Sequence, residues 1–211
     1  MNRPERTEPA GKAAKIIEAA RDAFFEQGYD AISMDEVAKR AGVAKQTVYS
    51  YYSSKDALFA AVHARERESL QGVMEAPPID TPDAVRSWLR EIGLKLLEIL
   101  LSPSFRALFR VTVAAAHRFP SLGKEIYEEG ILPHQVQLTD LIRKAEEAGA
   151  LQSDDPRVAA QQFLALMRGE LYFHCIIDPS FEPSRAATLR QVEEAVDCFL
   201  AKYGTQTAGA P

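Results

Sequence analysis

Apolar residues recur along this chain at spacings of three and four, the rhythm of helices with one buried face. From Lys12 onward, Ile16, Ile17, Ala20, Phe24 and Phe25 form a first stripe, and Gly28 followed by Tyr29 is expected to close it with a left-handed cap. Ser33, Met34, Asp35 and Glu36 make a capping box: the serine oxygen is expected to accept from the Glu36 amide, and the Glu36 side chain to return to the Ser33 amide. The short helix that starts there turns Val37, Ala38 and Ala41 inward and stops at Gly42, whose missing Cβ permits a tight turn before Val43. A second short helix runs from Lys45 to Tyr51, so two short helices flank a glycine turn, the helix-turn-helix arrangement. Ser53 or Ser54 then caps a longer helix from Lys55 through Leu58, Phe59, Val62 and Leu70 to about Met74.

Pro77, Pro78 and Pro82 break the pattern, because proline cannot continue a helix, and they place a boundary near residue 78. The helical period then resumes over 82–102, 104–118, 121–149 with a kink at Pro133, 156–177 and 184–203, and no segment alternates as a strand does. The expected fold class is all-α. It comprises a disordered arm over 1–10, a three-helix helix-turn-helix domain over 11–56, a connecting fourth helix over 57–77, a C-terminal helical bundle over 78–204 and a frayed tail over 205–211.

Composition adds that 46% hydrophobic residues in 211 are ample for a buried core. The two cysteines, Cys175 and Cys198, form no CxxC pair and no Cys/His cluster at zinc spacing, so neither a disulfide framework nor a structural metal is indicated, and a reducing cytoplasm fits. With no seven-residue apolar stretch in the first 30 residues and no 18-residue apolar run anywhere, neither a signal peptide nor a membrane span is expected.

A net charge of -5 argues against a general nucleic-acid coat, but the charge is uneven: residues 1–55 hold nine Lys/Arg against eight Asp/Glu, the remainder 16 against 22. Between Val37 and Lys55 stand four cations, Lys39, Arg40, Lys45 and Lys55, and no acid. Within that stretch the second short helix turns Lys45, Gln46, Thr47 and Tyr51 outward, while Val48 and Tyr52 can face a core. This chemistry suits a major groove: Gln46 can pair bidentately with adenine N6 and N7, Thr47 can meet a thymine methyl or a phosphate, and the Tyr49 and Tyr51 hydroxyls can bond phosphates. Lys55 adds an ammonium at a helix start facing the backbone. The same spacing also suits two packed helices with no part in DNA binding.

No nucleophile elbow, P-loop, dinucleotide fingerprint, zinc-protease helix or paired ExxH motif occurs, and His63, His117, His134 and His174 are scattered, so neither an enzyme nor a cofactor is expected. His174 and Cys175 are adjacent, yet helical neighbours diverge by about 100°, which favours buried packing over a metal site.

The run from Gly42 to Leu58, preceded by Phe24-Phe25-Glu26-Gln27-Gly28-Tyr29, resembles the signature of the tetracycline-repressor (TetR) family over about 50 residues. Ala44 departs from the family's usual serine or threonine cap, and Gln46 from its frequent glycine or small residue. Phe119 to Leu122, then Asp155-Pro156, Phe163 and Met167 to Phe173, resemble the C-terminal domain of an AefR-type subgroup.

The resemblance implies an all-helical homodimer in which the bundle over 78–204 binds ligand and forms the dimer. Residues implied for DNA are Ser33, Met34, Lys45, Gln46, Thr47, Tyr49, Tyr51 and Lys55. A pocket among the middle helices draws on Trp88, Phe105, Phe109, His117, His134, Met167 and Tyr172. Phe163, Leu166, Leu171, Val192, Val196 and Leu200 are the candidates for a four-helix dimer interface, and the same spacing suits intrachain core. The expected function is a repressor that grips a palindromic operator in double-stranded DNA and is released by a small hydrophobic effector, controlling its own gene and an efflux operon. An activator or a ligand-independent regulator stays open, as does, behind them, a helical-bundle enzyme.

Overall fold

In the computed structural model, which describes residues 9–68, 81–117, 123–124 and 126–205, the apolar rhythm becomes nine α-helices and one π-helical turn among the described residues. They fall into two compact units, and one of the three passages between them lies inside a helix, after Arg106.

The first unit contains α1 (Pro9–Gln27), α2 (Met34–Ala41), α3 (Lys45–Tyr51), α4 (Lys55–Glu68) and, from Ala107 on, α6 (Pro103–Ala116). Helix α1 starts at Pro9 rather than Lys12, because proline is favoured in a first helical turn. Pro9 and Ala10 are therefore helical rather than part of the expected arm, whose residues 1–8 lie outside the described ones, as does the expected course of α4 to Met74. Gly28 ends α1 at φ +83°, its amide donating to the Phe24 carbonyl at 2.8 Å. The turn delivers Tyr29 into an aromatic core, 5.7 Å from the ring of Phe24 and 4.9 Å from that of Phe59; Ile32, Val37, Val48 and Val62 of the same unit are also buried. On α4, His63 Nε2 lies 3.0 Å from Thr112 Oγ1 of α6, and the Thr112 hydroxyl donates to the Leu108 carbonyl. The hydroxyl proton is thus committed, so the imidazole N–H donates and ties α4 to α6.

The second unit holds α5 (Pro82–Leu100), the start of α6, the π-helical turn Ile126–Ile131, α7 (Leu132–Glu147), α8 (Pro156–Ile177) and α9 (Arg185–Tyr203). Thr81, Asp155 and Ser184 cap α5, α8 and α9 through side-chain oxygens. Its core includes Trp88, Leu89, Ile92, Leu138, Ile142, Phe163, Met167, Val192, Val196 and Phe199. The expected kink at Pro133 takes the form of the π-helical turn: proline has no N–H, so the preceding turn loses a donor and its register shifts. One residue on, His134 Nδ1 donates to the Gly130 carbonyl at 2.7 Å.

Helix α8 contains a break the periodicity did not announce. Gly169 sits at φ +46°, ψ -159°, a conformation open to glycine alone, and the Leu166 carbonyl accepts from the Gln191 amide of α9 at 2.7 Å. A Cβ at residue 169 would stand 2.7 Å from that same amide nitrogen. The break resets the helix phase. A straight helix would place His174 beneath Phe163, whereas Cys175 takes the buried position and His174 lies on the surface, stacked on Phe181 at 3.8 Å. The expected burial therefore holds for Cys175 and not for His174.

Among the described residues there is no strand, only an isolated bridge between Leu151 and Gly204. Thr205, expected in the frayed tail, is tied down, its hydroxyl donating to the Gly149 carbonyl at 2.8 Å; 206–211 lie outside the described residues, as do Phe119 to Leu122. No single described helix is long and apolar enough to cross a membrane.

Candidate nucleic-acid interface

Helix α2 starts as the sequence implies, with Ser33 Oγ accepting from the Glu36 amide at 3.1 Å. The reciprocal half of the box is not made: the Glu36 carboxylate accepts from Arg40 Nε at 3.2 Å, one turn along α2. Gly42, at φ +65°, turns the chain, and the Val43 amide donates to the Ala38 carbonyl at 3.0 Å. Ala44 is extended at the start of α3 and supplies no side-chain cap, so the first turn rests on the backbone bond from Thr47 to Ala44 at 2.8 Å.

One side chain then sets the orientation of the whole helix. Val48 is completely buried, and Lys45, Gln46, Tyr49, Ser50 and Tyr51 are exposed around it, with Thr47 and Tyr52 half-buried. Tyr49 and Tyr51 are large apolar rings left 45% and 38% exposed, an arrangement that folding alone does not favour. Lys55 is placed from the other side. The Tyr29 hydroxyl donates to Asp56, Ser54 Oγ caps α4 through the Ala57 amide, and the Lys55 ammonium rests 4.2 Å from the centre of the Tyr29 ring.

One expected DNA contact changes. Met34 is only 6% exposed and packs in the core, so its side chain is not offered to a duplex; the Ser33 oxygen accepts in its cap, and its hydroxyl stays exposed with the O–H able to donate. The electrostatics also differ from the acid-free sequence stretch, because acids from α1 and α2 reach it. Arg40 pairs with Glu26 at 2.7 Å and with Glu36, and Lys45 pairs with Asp35 at 2.8 Å. The hydrogen bond to Asp35 holds the Lys45 ammonium above its ordinary pKa. The Arg40–Glu36 pair is an i,i+4 pair readable from spacing, whereas only the fold brings residue 26 to residue 40 and residue 35 to residue 45.

The expected ligand residues are not assembled in one unit: Phe109 and His117 belong to the first, the other five to the second. Trp88 and Met167 are core, and His117 is exposed. Phe105, His134 and Tyr172 are half-buried, and burial pushes the Tyr172 hydroxyl up to about 12, so it stays protonated near neutral pH. Trp88 Nε1 is buried with no hydrogen-bond partner.

Of the dimer candidates, Phe163, Val192 and Val196 are fully enclosed by their own chain and have no surface to offer a partner, while Leu166, Leu171 and Leu200 are half-buried against that core. Helix α8 exposes Val158 near its start and, after the break, Phe173 and Ile177, 63% and 64% accessible and one turn apart. Their four-residue spacing was visible in the sequence; the phase change at Gly169 that turns them outward was not. Cys175 is buried, and burial raises its thiol pKa, whereas Cys198 is exposed.

Residues 16–62 match the family model described as bacterial regulatory proteins, tetR family, and residues 87–205 match the model for the AefR-like transcriptional repressor, C-terminal domain. The transcriptional activator FasR of Mycolicibacterium smegmatis is 42% identical over 76 residues, 36% of this chain and 33% of that protein, so the chain spans about a third of that relative's length. The crystal structure of a TetR-family regulator from Mesorhizobium loti superposes with a TM-score of 0.79 at 29% identity, covering 95% of this chain and all of that one. The flavonoid-responsive regulator FrrA superposes with a TM-score of 0.76 at 33% identity, covering 94% of this chain and all of its own.

Proposed function

The chain belongs to the TetR family of transcriptional regulators, with an AefR-like C-terminal domain, and on that premise we propose that it is a cytoplasmic repressor, a homodimer released from a palindromic operator by a small hydrophobic effector. The observation that carries the reading is α3: a seven-residue helix held by buried Val48, with Lys45, Gln46, Tyr49 and Tyr51 on its open side. Gln46 reads a base edge, Thr47 and the two tyrosines fix register on the backbone, and Lys55 holds phosphate.

The exposed pair Phe173 and Ile177 supports self-association through α8, and a two-fold dimer presents two copies of α3 to half-sites about 34–36 Å apart. The effector acts by favouring the dimer geometry in which that separation is wrong. Half-buried Phe105 and Tyr172 in the second unit suit an aromatic effector carrying hydroxyl groups, in line with the flavonoid response in FrrA's name. Repression rather than activation follows the AefR-like domain, and FasR, an activator by name, supplies the alternative.

Footprinting of purified protein on the duplex upstream of its own gene tests the reading. A protected palindrome whose occupancy falls on adding flavonoids is expected; equal binding to every sequence overturns it.

A further inference from the structure

Lys45 is the first residue of α3 and the cation nearest the expected reading face, yet it is held by Asp35 of α2, with Nζ 2.8 Å from the carboxylate. Both side chains are about 60% exposed, 59% and 61%, so burial does not force them together. Such a pair is weakly held and open to exchange with any other anion. The side-chain cap of α2 comes from Ser33, and Glu36 shares the first turn with Asp35, so a neutral residue at 35 leaves the helix start with both a cap and an acid.

Sequence-independent affinity for a duplex comes from cations that displace counterions condensed on phosphate. A lysine already neutralised by its own protein displaces none, and freeing it leaves a carboxylate facing the phosphates. Resting on the DNA-binding reading above, we infer that Asp35 is a specificity-determining residue: it competes with phosphate for Lys45 and so weakens binding to non-operator DNA. Where the recognition helix is not seated, the pair persists and Lys45 contributes nothing. Where base contacts seat α3, the backbone is brought against Lys45 and the ammonium exchanges Asp35 for phosphate. The device therefore suppresses random binding more than operator binding, a repulsive element beside the attractive one. Arg40 is not equivalent, because its two carboxylates join α1 to α2 and its loss would disturb packing as well as charge.

The test measures affinity of the full chain for a mixed-sequence duplex over a series of salt concentrations, comparing wild type, Asp35→Asn, Lys45→Ala and the double variant. Asp35→Asn is expected to tighten binding roughly five-fold and to steepen the logarithmic salt dependence by about 0.9, the value of one added phosphate contact. The gain is expected to vanish when Lys45 is alanine, and to appear on a footprinted operator as a smaller tightening with unchanged slope. Asp35→Ser, with a matching thermal midpoint, gives the same sign if charge is the cause. An unchanged slope for Asp35→Asn, or an equal gain without Lys45, overturns the inference while leaving DNA binding intact. Wild-type protein that binds no duplex in low salt overturns both.

Discussion

Helices α3 and α8 pose opposite problems. In α3 a single residue, Val48, is buried, so the outward face is known once that anchor is identified, and polar side chains there stand out. In α8 apolar side chains face both ways: Phe163 and Met167 are enclosed by their own chain, while Phe173 and Ile177 lie bare. The contrast teaches that a binding surface made of polar groups is separable from core by residue type, whereas one made of apolar groups has to be located by geometry.

The sharpest way to break this comparison is to truncate one phenylalanine on each face of α8. Phe163→Ala is expected to cost about 3–5 kcal/mol of stability, read from urea unfolding, because it empties a site in the core. Phe173→Ser is expected to leave the helical circular dichroism intact and weaken self-association ten-fold or more in sedimentation at micromolar protein. Equal stability losses in the two variants would mean that Phe173 is held by its own chain, and unchanged association would move the dimer face elsewhere. A smaller effect sharpens the α3 side. Ala44→Ser restores the missing side-chain cap and is expected to raise stability by about 0.5–1 kcal/mol, seen as a higher thermal midpoint.

Most of the fold was legible because helical periodicity, caps and breakers agreed along the chain. Ser33, Gly42, Ser54 and Pro82 mark the ends they were expected to mark. The exposed residues of α3 were legible for the same reason. Two features depend on contacts distant in sequence and left no local sign. The break at Gly169 is matched by Gln191, 22 residues on, and without it His174 and Cys175 exchange roles. The pairing of Arg40 with Glu26 and of Lys45 with Asp35 is set by how α1, α2 and α3 meet. That α6 passes from the second unit to the first after Arg106, which places Phe109 and His117 in the first, was likewise not marked in the sequence. Met34 is buried on the same face as Val37 and Ala38, three and four residues on, so its burial was readable from helical spacing.

The central claim is that α3 reads bases while the start of α4 grips the backbone, and the most direct measurement separates the two. Affinities of Gln46→Ala and Lys55→Ala are determined on the operator and on a mixed-sequence duplex across a range of salt. Lys55→Ala is predicted to weaken both complexes alike and flatten the salt dependence by about 0.9. Gln46→Ala is predicted to weaken the operator complex by about 1–3 kcal/mol and leave the mixed duplex unchanged. Identical behaviour of the two variants on both duplexes would contradict the assignment of reading to α3.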